Sequence, residues 1–166
     1  MKSLDDLFLH FLQDIYYAER QLPRALPKMA KNAQAPALKE AFTVHREETV
    51  HQIERLGQVF KHVGKPAKGV RCEAIKGLVE ETEDMLGDRY VGAVRDAGLI
   101  ACGHGVEHYE MARYNSLIAW AQAGGHKEIV SLLQQNLDEE KKADKLLSEL
   151  ALNEINKSAS VLAKAA

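Results

Sequence analysis

The stretch LIACGHGVEHYEMARYNSLIAW, residues 99–120, decides the fold class. Its apolar residues Leu99, Cys102, Val106, Tyr109, Tyr114, Leu117, Ile118 and Trp120 recur mostly at spacings of three and four, the signature of a helix. At 100° per residue they cover more than half of the circumference. Glu107 and Glu110 fall inside that apolar arc, whereas His104, His108, Asn115 and Gln122 take the opposite strip. A bundle helix needs only a stripe of about 100° or a little more. We therefore expect a homodimer, with Trp120 and its neighbours at the contact. The competing cover is a short helix of the same chain, bearing Val70, Ile75, Leu78, Val79 and Met85.

Working outward, helix formers dominate and Gly and Pro act as punctuation. The first helix is expected over residues 3–31, capped by Ser3 and kinked by Pro23 and Pro27. After a turn at 32–36, a second helix runs over 37–63 and ends at Gly64-Lys65-Pro66. A short helix over 70–86 comes next. The third long helix covers 88–123 and stops at Gly124-Gly125, and the fourth covers 126–153. The domain is expected to span 1–156, with a frayed tail over 157–166. Two long helices, a crossover holding a short helix, then two more long helices give an all-α fold: a four-helix bundle with one long crossover.

The helical wheel also shows which charges interrupt the apolar faces. On the first helix, Glu19 falls near the centre of the Leu4–Phe8–Phe11–Ile15–Leu22 stripe, and Asp14 falls outside it. On the second, His45 sits near the stripe's centre, Gln52 close by and Glu48 at its edge. On the fourth, Glu140 lies almost at the centre of the Ile129–Leu133–Leu137–Leu147–Leu150 stripe, flanked by Asn136 and Asp144. Each long helix thus turns a carboxylate inward. Several like charges buried together cost many kcal/mol unless protons, cations or metal ions neutralise them. Arg20, Arg46, Arg55 and Arg113 are the candidate ion-pair partners. A pair of metal ions is the other solution known for such bundles. An oxygen-rich set suits iron or manganese, with zinc a further option.

Composition narrows the classes. The formal net charge is −2, from 22 basic and 24 acidic residues, without a basic block that would suit nucleic acid. No apolar run reaches the roughly 18 residues of a membrane span, and the N-terminus lacks the pattern of a signal peptide, so the expected location is the cytoplasm. Cys72 and Cys102 stand in no metal or redox spacing.

Four segments, DIYYAERQL (14–22), HREETVHQIERL (45–56), VEHYEMARY (106–114) and LDEEKKADKLL (137–147), resemble the YciE/YciF-type family of bacterial ferritin-like stress proteins. They occur in the family's order across nearly the whole chain. The resemblance implies a ferritin-like bundle and a metal set of Glu19, Glu48, Glu107, Glu110 and Glu140, holding two iron or manganese ions. The ferritin-like pattern repeats Glu-x-x-His on the second and fourth helices. Glu48-Thr49-Val50-His51 matches the first occurrence and adds His51 to the set. The second is broken: Ala143 follows Glu140 at the histidine's place, and Asp144, one residue on, is the substitute oxygen ligand. The wheel disagrees with the spelling over His51, which lies roughly 130° from the apolar centre. It turns His45 and Gln52 inward instead, as residues supporting the ligands from behind. If the chain is an enzyme, the resemblance implies peroxidase- or ferroxidase-type chemistry on a small oxidant such as peroxide or dioxygen. The alternative is a non-catalytic dimeric stress protein with a structural or vestigial metal site.

Overall fold

A computed structural model describes residues 3–164, with side chains through residue 160. Among the described residues every element is a helix, and there is no strand. Helix α1, Leu4–Glu19, is capped by the Ser3 hydroxyl, which accepts a hydrogen bond from the Asp6 amide at 3.1 Å. The single first helix expected over 3–31 is in fact two, because α1 stops and α2 begins at Leu22 and runs to Asn32. Pro23 explains the break. Its ring has no N–H for the Glu19 carbonyl and collides with the carbonyl four residues back. Pro23 is therefore found in the first turn of α2, where proline is tolerated. The break leaves Glu19 as the last residue of α1, fully buried.

Helix α3, Pro36–His62, has no capping side chain of its own. The buried carboxylate of Asp96, from another helix, instead fixes the turn that leads into it, accepting from the Gln34 and Ala35 amides at 2.8 Å each. Asp96→Ala leaves two amides without partners, and hydrogen bonds to charged groups contribute about 1.5–3 kcal/mol each. The expected loss is about 2–4 kcal/mol in denaturant titration, and an unchanged midpoint would refute the assignment.

Gly64, at φ 66°, ends α3 in the left-handed conformation that glycine adopts without strain. The crossover then lies along α1. Val70 donates to the Gln13 carbonyl at 3.2 Å, and Gly69 packs so closely that a Cβ there would lie 2.9 Å from the Tyr17 Cβ. Within the crossover, α4 (Glu73–Met85) buries Ile75 against α5 (Gly92–Ala123). Helix α6, Lys127–Leu150, returns after the Gly124-Gly125 turn. A π turn, Ala151–Ile155, links it to α7, Asn156–Lys164. The frayed tail expected from residue 157 is thus helical as far as Lys164. It is held there because Ile155 is buried and α7 packs on α5, while residues 165–166 lie outside the described residues.

Helix α5 is the central element, packed against α1, α4, α6 and α7. That packing accounts for its wide apolar arc inside one chain. Leu99, Val106, Tyr114, Leu117 and Ile118 are all buried. Trp120 is half-buried and meets Phe11 edge to face at 5.2 Å. Much of the arc is thus covered within one chain, while Trp120 stays half-buried and Val91 and Val94 exposed.

Candidate metal centre

Near the middle of the bundle, four side chains from three helices converge. Glu107 and Glu110 stand one turn apart on α5, Glu140 comes from α6 and His45 from α3. One ligand atom of each lies within 4.8 Å of those of the others. His45 Nε2 is 3.2 Å from Glu107 Oε1 and 3.6 Å from Glu140 Oε2. On its other side, His45 Nδ1 is 3.5 Å from Glu48 Oε2. Glu19, at the end of α1, adds a fully buried carboxylate whose charge acts on both Glu110 and Glu140.

The surroundings supply few donors. Both oxygens of Glu110 and of Glu140 are buried without a hydrogen-bond partner, as are Glu19 Oε2 and Glu107 Oε2. The candidate ion-pair arginines do not fill the gap. Arg55 bonds Glu139 and Asn136, Arg113 bonds Asp14, and Arg20 stacks over Tyr16. Among the described residues, no Lys or Arg forms an ion pair with Glu19, Glu107, Glu110 or Glu140. Native proteins rarely leave buried acceptors unpaired, so each such oxygen asks for a missing partner.

Electrostatics give the same picture. Burial, with the neighbouring carboxylates, pushes Glu110 and Glu140 well above the usual carboxylate range. Burial likewise raises Glu107 and carries Glu19 up to about 8, although the Tyr114 hydroxyl and His45 pull them partly back. Burial alone would lower His45, but Glu107, Glu48 and Glu19 outweigh it and bring it to about 8. Glu48 runs the other way: hydrogen bonds from His45 and Lys142 outweigh burial and hold it below its ordinary value. At neutral pH the cluster therefore retains protons that a cation would displace.

The expected residues sort clearly. Glu107, Glu110 and Glu140 meet, and Glu19 adjoins them. Glu48 stands at the rim, bonded to Lys142 at 3.0 Å. His45, expected behind the ligands, is in direct contact with the acids. Gln52 is fully buried, with both amide atoms unpartnered. His51 is a correction: it is exposed and faces Glu54 at 3.4 Å. The wheel was right because six residues, from 45 to 51, turn a helix by 600° and bring the side chain to the far flank. Asp144 is the other correction. It bonds His104 at 2.6 Å and lies 3.1 Å from His108, on the outer flank of α5. Ala143, not Asp144, faces the cluster. It lines a cavity of ≈ 40 Å³ with His45, Glu48 and Glu107, beside the part-exposed Val44 and Leu146.

Two residues that the wheel placed on these faces turn out to support the site. Tyr114 donates to Glu19 and accepts from Asn136 Nδ2 at 2.9 Å, and Asn136 in turn accepts from Arg55. The available signal was spacing: Tyr114 stands one turn beyond Glu110, and Asn136 one turn before Glu140.

A family model described as "Domain of unknown function (DUF892)" matches residues 3–160. The chain belongs to the DUF892 family. Protein YciF of Escherichia coli (strain K12) is 42% identical over 160 residues, 96% of either chain. The crystal structure of that E. coli stress protein matches with a TM-score of 0.90, covering 95% of this chain and 99% of YciF. YcfI from Rhodopseudomonas palustris, put forward as a structural protein, is 49% identical with a TM-score of 0.86, over 89% of this chain and 94% of its own. A Xanthomonas campestris protein at 20% identity and a TM-score of 0.71, over 97% of this chain and 95% of its own, shares the fold. The expected YciF-type resemblance and all-α ferritin-like bundle are thus met in a DUF892 chain. Among its described residues, no helix is long and apolar enough to cross a membrane.

Proposed function

We propose that this chain holds a pair of iron or manganese ions between Glu19, His45, Glu107, Glu110 and Glu140, with Glu48 at the rim, in a stress-related role in the cytoplasm. The single observation that carries the reading is the set of unpartnered oxygens on Glu110 and Glu140. Five carboxylates and an imidazole exceed the needs of one ion and suit two. With Glu48 paired to Lys142, the other four carboxylates carry four negative charges, which two divalent ions balance. When bound, such ions supply Lewis acidity and electron transfer toward a small oxidant such as peroxide or dioxygen.

The chain's own residues have separable tasks in this account. Tyr114, steadied by Asn136 and Arg55, orients Glu19. Lys142 holds Glu48 beside the cavity. His45 is protonated while the acids lack metal and gives up that proton to a cation. Phe42 and Leu147 form an apolar wall of that cavity.

Two observations favour a second reading, in which the ions are structural. Ala143 replaces the expected histidine, and YcfI is put forward as a structural protein. Both readings require the ions. Elemental analysis of tag-free protein loaded anaerobically with Fe²⁺ or Mn²⁺ should find about two ions per chain that are lost in Glu140→Ala and His45→Ala. His51→Ala should retain them. Wild-type stoichiometry in Glu140→Ala would refute the site. Turnover of peroxide or dioxygen by the loaded protein then separates the redox reading from the structural one.

A further inference from the structure

A second convergence of ligating side chains lies outside this cluster, between the outer flanks of α5 and α6. We propose that His104, His108 and Asp144 form a peripheral site for one divalent cation of the zinc type. The proposal does not depend on the core centre. His104 and His108 are four residues apart on α5, which places them one turn apart on a single face. Asp144 approaches from α6. His104 Nδ1 is 2.6 Å, and His108 Nε2 3.1 Å, from the same oxygen, Asp144 Oδ1. A ligand atom of each of the three lies within 4.8 Å of the others. The two rings stand edge to face, 6.3 Å between centroids, so their nitrogens converge without stacking.

The chemistry differs from that of the core. Two imidazoles and one carboxylate form a known zinc ligand set, with the remaining position left to water. The His108 side chain is 67% exposed, so that position faces solvent. Without a cation, His104 Nδ1 donates to Asp144 Oδ1, and His108 Nε2 lies 3.1 Å from the same oxygen. A cation takes the lone pair at each of those nitrogens: a neutral ring then carries its proton on the other nitrogen, and a protonated ring releases one proton to solvent. Ligand atoms around tetrahedral zinc, at bonds of about 2.0 Å, are about 3.3 Å apart. To reach that spacing the His104–Asp144 contact opens by about 0.7 Å and the His108–Asp144 contact by about 0.2 Å.

His104-Gly105-Val106-Glu107-His108 also has the H-x-x-E-H spelling of certain zinc hydrolases, in which the glutamate serves as base. Here Glu107 is buried and turned inward, 3.2 Å from His45. It has no access to a water on the outer ion, so the site binds a cation without that hydrolytic machinery.

The test is calorimetric titration of tag-free, full-length protein with Zn²⁺ alone, alongside His108→Ala, Asp144→Asn and Glu140→Leu. The first variant alters an exposed side chain, and circular dichroism confirms that each variant is folded. Wild type and Glu140→Leu should share a zinc-binding event that both His108→Ala and Asp144→Asn lose or weaken by more than about tenfold. Co²⁺ should give a tetrahedral absorption band that depends on the same residues. Undiminished zinc affinity and stoichiometry in His108→Ala and Asp144→Asn would overturn the site. So would the absence of any zinc binding that survives Glu140→Leu.

Discussion

Stripped of metal, the protein should melt lower at about pH 8 than at about pH 5, whereas the loaded protein should change little. The sign follows from protonation. Glu19 rises from 4.5 to about 8 on folding, and Glu107, Glu110 and Glu140 rise as well. His45 moves from 6.5 to about 8. The native state therefore binds more protons than the unfolded chain between about pH 4.5 and 8, and stability falls as pH rises through that window. For Glu19 the contribution is complete below 4.5 and for His45 below 6.5, and both are lost through about 8, while the other three acids act in the same direction. Asp14 and Glu48, whose values are lowered, act oppositely and lose their contribution only at more acid pH. At about 1.4 kcal/mol per unit, the Glu19 shift alone is on the order of 5 kcal/mol. A domain of this size shifts its melting temperature by about 2–4 °C per kcal/mol, so a fall of about 10 °C or more is expected. Bound ions remove the dependence by replacing the protons and add stability by mass action. Calorimetry with and without chelator reads both. A metal-free melting temperature that stayed level or rose from pH 5 to 8 would contradict this electrostatic account.

Glu110→Leu should stabilise the metal-free protein and abolish loading. Glu110 is fully buried, neither oxygen has a hydrogen-bond partner, and its neighbours Glu19 and Glu107 repel its charge. Leucine has nearly the same volume and needs no partner. Replacing buried charges by apolar groups of similar shape is often stabilising by about 1–4 kcal/mol. The gain should be largest at alkaline pH, where the carboxylate is forced to ionise. In the presence of Mn²⁺ the order reverses, because only the wild type gains from the ion. A variant less stable than metal-free wild type would show that Glu110 already has a partner within the fold. The same outcome would remove the main reason for placing an ion there.

The bundle was legible because apolar spacing reports buried faces directly, and the acids at Glu19, Glu107, Glu110 and Glu140 stood on those faces. His45 was legible by the same rule, while the Glu-x-x-His spelling pointed to His51 and ignored the rotation of the helix. What remained hidden depends on partners distant in sequence. Asp96 anchors the turn before a helix that begins sixty residues earlier, and no local pattern marks that role. A wheel shows what α5 must bury, not that α1, α4, α6 and α7 pack against it within one chain. Asp144 lies only 40° around the wheel from Glu140 but one turn along the helix. That displacement carries it from the carboxylates to His104 and His108.

Crystals of the full-length protein loaded with Mn²⁺ and measured for anomalous scattering test the central claim most directly. The account predicts anomalous density among Glu107, Glu110, Glu140 and His45, with a second ion toward Glu19 or Glu48, and none at His51. Anomalous density absent from the cluster in a manganese-loaded crystal, with Glu110 and Glu140 bonded to protein donors instead, would contradict it.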